Sequence, residues 1–346
     1  MQAAFSGNLT KVLDAVVTSY IGYGLPVGSR FVWVNFDMGL SPASIRNLMA
    51  ELEGMGVLMK PHVSAGRIPT ERGYRLYVDR VMKPQPLRRG ETRAIRKAMD
   101  PSLPVGDMLE RISRLLEALS HQICVTLTPE RRSGVVTDLE TVKISPDMLL
   151  ITVTIEPGTE RTTSLRFRSA SALGAALKSF KRFSRATVGR SAEEAGRALE
   201  NMDLSTQGHG SSVDKLRTSL VNLLRHGHHA VHVYGTGNVV SEMGDMTDVR
   251  SLLGVLERRQ EIARLLLLDE RRPGTSVIIG SENRGKPMKR CSVVKSEYRI
   301  GDAAGAIGVI GPLRMDYPRV MALVEYTSRE LTQCLAEAGG RNKGGR

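Results

Sequence analysis

LSPASIRNLMAELEGMG, residues 40–56, is the stretch on which the reading of this chain turns. Ser41 is a good helix N-cap, because its short side-chain oxygen can accept a free N–H of the first turn. Pro42 then takes the first helical position, where its missing N–H costs nothing. Ile45, Leu48, Met49 and Leu52 follow at i, i+3, i+4 and i+7, the spacing of one buried helical face. Ala43, Ser44, Arg46, Asn47 and Ala50 are therefore left facing outward, and Gly56 supplies a left-handed stop.

Working outward, LTKVLDAVVTSYIG (9–22) reads as a helix with Leu9, Leu13, Val16, Val17 and Tyr20 on one face. After Gly56 come a short apolar strand, Val57-Leu58-Met59, a basic turn, Ser64-Ala65-Gly66-Arg67, and a second strand at Ile68-Pro69. Thr70 caps a further helix whose buried face is Tyr74, Tyr77, Val78 and Val81. The order helix, irregular segment, helix, strand, turn, strand, helix is the layout of a helix-turn-helix with a β-hairpin wing. FVWVNFDM (31–38) leaves its own conformation open.

The major groove of DNA admits a helix, and its base edges are read by short polar side chains and arginine. Ser44, Arg46 and Asn47 lie on the first turns, beside a cap whose free N–H groups also favour a phosphate. A wing needs a tight tip and a cation for the sugar-phosphate wall. Ser64, Ala65, Gly66 and Arg67 meet that need, with Lys60 and His62 on the approach strand. Ser41, Ala43, Thr70 and Arg72 complete the candidate DNA-contacting set. The competing reading, a solvated helix beside a plain hairpin, leaves the shared basic and polar character of these parts unexplained.

The bulk composition agrees. Across 346 residues the net charge is +13, which favours an anionic partner, although the excess is spread along the chain and does not by itself place a face. Aromatics are only 4%, which argues against a stacking sheet for single-stranded RNA. Cys124, Cys291 and Cys334 are far apart and fit reduced thiols. With no secretory pattern and no apolar run beyond Leu265–Leu268, a cytoplasmic protein without membrane contact is expected.

Residues 83–104 carry four prolines and six basic residues and read as a linker. A helix through Ile112, Leu115, Leu116, Leu119 and Ile123 follows, then strands at 135–144, 148–156 and near 163–168. Residues 170–225 are helical in pattern; a strand at 230–234 and a helix around 248–268 come next. Strands return at 276–280, 292–298 and 306–310 before a last amphipathic helix. Strands, a helical block and strands again predict one α+β domain interrupted by another.

Catalytic motifs are weak. His226, His228, His229 and His232 form the single metal-like cluster, and His228 and His232 would be i, i+4 on a helix, a spacing that can hold zinc. Yet Gly227 interrupts, no HExxH glutamate is present, and a polar surface turn explains the cluster more simply. YGTGNV (234–239) lacks the third glycine and the lysine of a phosphate cradle, and there is no GxSxG elbow. No enzyme, metal site or cofactor is expected.

Residues 40–79 strongly resemble the HrcA heat-inducible transcription repressors, as do PVGSR (26–30), VIIGSEN (277–283), SVVKSEY (292–298) and IGVIGPLRMDYPRVMALVEYTSREL (307–331). Residues 1–12 show little resemblance, and residues 31–38, Leu48, Gly54 and Val63 depart from the family's usual pattern. The resemblance implies an α+β multidomain protein: an N-terminal winged helix-turn-helix (1–84), the basic linker (85–104), and a GAF-like α+β domain in two parts (105–168 and 263–338). A dimerisation domain (169–262) is inserted between them, and a disordered tail (339–346) follows. It further implies a homodimer that binds double-stranded DNA at an inverted-repeat operator of the CIRCE type and represses chaperone operons. The GroE chaperonin would support repression until heat diverts it. A GAF-like domain that binds a small-molecule ligand is the alternative mode of control, by analogy of fold alone.

Overall fold

The computed structural model describes residues 7–62, 65–83, 85–131, 134–156, 159–203, 210–226, 230–238, 246–267, 274–283, 288–301 and 303–341. The chain forms two compact units. One comprises Met1–Thr126, His232–Glu297 and Ala306–Cys334; the other comprises Leu127–Val231, Tyr298–Gly305 and Leu335–Arg346.

The first unit opens with α1 (Gly7–Tyr23), α2 (Ser29–Asn35) and α3 (Pro42–Gly54). A two-stranded antiparallel hairpin follows, β1 (Leu58–Met59) and β2 (Ile68–Pro69), in the register Leu58 to Pro69 and Met59 to Ile68. Next come α4 (Glu71–Leu76), prolonged by a π-helical turn over Tyr77–Val81, α5 (Arg89–Ala98) and α6 (Val105–Ser120). So 31–38, left open by the sequence, is helical as far as Asn35. Val32 anchors α2 in the core, while Phe31, Trp33 and Val34 are exposed.

The segment expected to be a linker is largely the helix α5. The Glu91 carboxylate accepts from the Arg88 N–H at 2.8 Å and pairs with Arg319 at 2.7 Å. Ile95 and Met99 are buried, and Arg96 pairs with Glu330 at 2.8 Å. Prolines at its margins suggested extended chain; one buried acid and two apolar anchors at helical spacing make it a packed element instead.

A five-stranded sheet has the order β7–β3–β10–β9–β8, from β3 (Ile123–Arg131), β7 (Val231–Tyr234), β8 (Ser276–Ile279), β9 (Cys291–Ile300) and β10 (Ala303–Pro312). The last helix, which we number α12 (Tyr317–Arg341), includes 339–341 of the expected tail; 342–346 lie outside the described residues. The N-terminal helices share one apolar cluster with this part of the chain: Leu13, Val16, Ile45, Met49, Leu52 and Tyr74 pack with Ile279, Val294, Val309, Tyr317 and Val320. The Tyr74 and Tyr317 rings lie 5.7 Å apart. Arg75 Nε donates to Glu282 at 2.8 Å and its Nη2 to the Val277 carbonyl at 2.7 Å, while the Ser281 N–H donates to Glu71 at 2.9 Å.

The second unit has its own core. The antiparallel strands β4 (Val136–Ser145), β5 (Met148–Ile155) and β6 (Thr159–Arg166) are ordered β4–β5–β6. They bury Leu139, Leu149, Ile151, Val153 and Leu165 against Leu173, Phe183, Leu199, Leu216 and Leu220 of α7 (Ala170–Thr187), α8 (Ala192–Glu200) and α9 (Gly210–His226). The boundary expected at residue 169 therefore falls inside one core. The strands present one apolar face, and the helices that follow pack against that face. The helices α10 (Met246–Glu257) and α11 (Arg259–Leu267), expected partly within the insert, belong to the first unit.

The Arg75–Glu282 contact carries a pH signature. Burial pushes Glu282 up, but the Arg75 hydrogen bond, the Ile279 N–H and the Arg75 charge outweigh it and hold the carboxyl below the usual glutamate range. A carboxylate whose folded pKa is lowered contributes stability that is complete above its unfolded pKa, about 4.3, and lost as pH falls through the folded value. Thermal melts from about pH 6 down to pH 3 should show Glu282→Gln less stable than the parent at the upper end, with the difference shrinking toward the lower end.

Candidate nucleic-acid interface

The cap of α3 forms as its sequence requires. Ser41 Oγ accepts from the Ser44 N–H at 3.1 Å and lies 2.9 Å from Ser44 Oγ. Ile45, Met49 and Leu52 are fully buried, with Leu48 half-buried beside them. Burying three such side chains stabilises roughly 1.5–3 kcal/mol each, which fixes the rotation of α3 about its axis. Ala43, Arg46, Asn47 and Ala50 are consequently exposed, and Ser41 is exposed at the helix start. Among the described residues, neither the Arg46 nor the Asn47 side chain has a hydrogen-bond or ion-pair partner. Gly56 ends the run at φ 69°, the left-handed stop that its position predicts.

The hairpin is tied down more firmly than the sequence suggests. Arg67 exchanges both backbone hydrogen bonds with Val27, at 2.9 and 2.8 Å, so the PVGSR stretch forms a bridge beside β2. Gly66 lies so close to this segment that a Cβ there would be 2.5 Å from the Val27 carbonyl. The missing side chain permits that approach of two backbones. The Arg67 side chain, 12% exposed, turns inward: its Nε donates to Glu53 at 3.1 Å and its Nη2 is 3.1 Å from the same oxygen. Arg67 is thus a strut between hairpin and α3, which corrects the expectation of a phosphate-gripping cation.

Thr70 is also occupied. Its hydroxyl donates to the Gly56 carbonyl at 2.7 Å and accepts from the Gly73 N–H at 3.1 Å, capping α4. Lys60 and His62 are exposed just beyond β1 and not on a strand as expected, with Lys60 at 3.8 Å from Glu53. The Ala65 N–H closes the turn on the His62 carbonyl at 3.0 Å, and Ala65 is half-buried. Ser64 lies outside the described residues; Arg72 is exposed on α4. The outward set brought together on α3 and the hairpin is therefore Ala43, Arg46, Asn47, Lys60 and His62. Glu53 and Val27, which hold the hairpin, were not singled out from the sequence. A charge complementary to Arg67 was present, but fourteen residues separate the partners and no periodicity links them.

Of the expected histidine cluster, His228 and His229 lie outside the described residues, His226 ends α9, and His232 stands in β7. Among the described residues no group of three or more His, Cys, Asp or Glu is placed to hold a metal. No described helix is long and apolar enough to cross a membrane.

Comparison with known proteins places this architecture. The family model for the HrcA protein C-terminal domain matches residues 106–321. The heat-inducible transcription repressor HrcA of Cutibacterium acnes is 35% identical over 335 residues, covering 94% of this chain and 97% of that protein. The repressor of the same name from Laribacter hongkongensis is 31% identical over 332 residues, covering 94% of each. A crystal structure described as a hypothetical protein shares the fold, with a TM-score of 0.57 and 22% identity over 96% of this chain and 98% of that one. The chain therefore belongs to the HrcA family, whose matched members are transcription repressors and not enzymes.

Proposed function

We propose that this protein represses heat-shock chaperone operons by binding, as a homodimer, an inverted-repeat operator of the CIRCE type. In this reading α1–α4 and the hairpin are a winged helix-turn-helix, and α3 lies in the major groove. The second part of the first unit is GAF-like, and GroE availability sets the strength of repression. The observation that carries the reading is the face of α3: a helix capped by Ser41 and locked by its buried side, with Arg46 and Asn47 exposed and, among the described residues, unpartnered. Those are side chains suited to guanine and adenine edges.

A dimer is favoured on physical grounds, because one such module buries roughly 600–1,000 Å² on DNA, small for tight specific binding. Two linked modules gain through effective concentration. The second unit offers a surface for self-association. Val142 and Ile144 on the edge strand β4 are 56% and 54% exposed, and Val142 stands opposite Leu150 in the register. Apolar side chains on the open face of an edge strand suit an isologous contact with a second copy.

The deciding test is anisotropy titration with an inverted-repeat duplex and a shuffled control at two salt concentrations; equal binding to both would remove the proposal. Arg46→Ala should cost about 1–3 kcal/mol in operator affinity and relax sequence preference. Arg67→Ala should lower the melting temperature, because it strands Glu53, while leaving the salt slope of DNA binding unchanged. Val142→Arg should shift the protein from dimer to monomer in analytical ultracentrifugation and weaken operator binding in parallel.

A further inference from the structure

Some helical cations in this protein are matched by acids one turn away: Arg114 with Glu110 at 2.6 Å, Arg75 with Asp79 at 3.2 Å, and Arg197 with Glu193. Helix α5 offers its outward cations no such acid among the described residues. Its sequence RGETRAIRKA holds one acid, Glu91, and that carboxylate is buried and consumed by the Arg88 N–H and Arg319. Arg89, Arg93 and Lys97 stand at i, i+4 and i+8, all exposed, and among the described residues none has an acidic partner. Like charges at this spacing work against the helix that carries them. Arg88 adds a further exposed cation at the start of the helix.

The stripe is held rigidly. Buried Ile95 and Met99, the Glu91–Arg319 pair, the Arg319 donation to the Leu119 carbonyl at 3.2 Å and the Arg96–Glu330 pair fix both ends of α5. Four residues of helix rise about 6 Å, so the three cations form a straight row about 12 Å long. A row of closely spaced, unmatched cations calls for an equally regular polyanion, and guanidinium groups favour phosphate. The helix follows the α1–α4 module in the chain and belongs to the same compact unit.

We propose that the Arg89–Arg93–Lys97 face of α5 is a second, sequence-independent contact, made to the phosphate backbone of duplex DNA flanking the half-site. The inference rests on the DNA-binding reading above but adds a site that the helix-turn-helix does not supply. It makes affinity depend on flanking DNA, and specificity depend on α3 alone.

The test uses the full chain and its Arg89→Gln/Arg93→Gln/Lys97→Gln variant. Two operator duplexes are titrated across a salt series: one trimmed to the inverted repeat, one extended by about ten base pairs, one helical turn, at each end. The parent should bind the extended duplex more tightly and with a steeper salt dependence. The variant should lose that advantage, its slope on the extended duplex falling by about 0.9 for each phosphate contact removed. Its preference for operator over shuffled sequence should be unchanged. Its melting temperature should be equal to or above the parent's, since the replaced charges repel one another.

Identical slopes for parent and variant on the extended duplex would overturn the proposal. So would a lower melting temperature, which would make the three cations structural, or weakened capture of a polyglutamate peptide with the DNA slope intact, which would assign the face to an acidic protein. Failure of the parent to distinguish operator from shuffled duplex would instead strike the DNA-recognition reading itself.

Discussion

Burial of Ile45, Met49 and Leu52 fixes the rotation of α3 about its own axis, and every statement about recognition depends on that rotation. A helix has 3.6 residues per turn, so committing three side chains to the core decides the direction of the rest. Arg46 and Asn47 cannot both turn inward without lifting three apolar groups into water. The cost of that, several kcal/mol, exceeds what two exposed polar side chains could regain by packing. The cap at Ser41 then sets where the exposed row begins.

The hairpin depends on α3 in turn. Glu53, on the last turns of that helix, holds Arg67, and Arg67 holds Val27 through the backbone, so helix, hairpin and the PVGSR segment form one closed set of contacts. Gly66 permits it by leaving room for the Val27 carbonyl. The same module continues into the neighbouring sheet through Tyr74, Arg75 and Glu71. A module attached in this way can be reoriented only by breaking specific packing and ionic contacts, which gives the rest of the chain a means to influence it.

Much of this was legible in the sequence where period and punctuation agree. The cap, proline, apolar spacing and Gly56 located α3 to within two residues, and alternating apolar residues located β4 and β5. Two elements were hidden for physical reasons. The chain after α6 turns at His121, which adopts φ 55° without a glycine to announce it; Ile123 also continues the apolar period, so β3 read as more helix. Helix α5 was hidden because charge and flanking prolines dominate its composition, whereas its anchors are one buried glutamate and two apolar residues whose partners lie far along the chain. At the site, the sequence located the outward face of α3. Thr70 caps α4 as its position in the sequence predicts, whereas what Gly66 and Arg67 hold within the fold was not legible, because contacts made across the fold decide it.

Methylation protection with dimethyl sulfate on an inverted-repeat operator tests the central claim most directly, because guanine N7 lies in the major groove. If α3 enters that groove with Arg46 toward the bases, guanines within both half-sites become protected by the full-length protein. Guanines that stay fully reactive while the protein is bound would contradict the account.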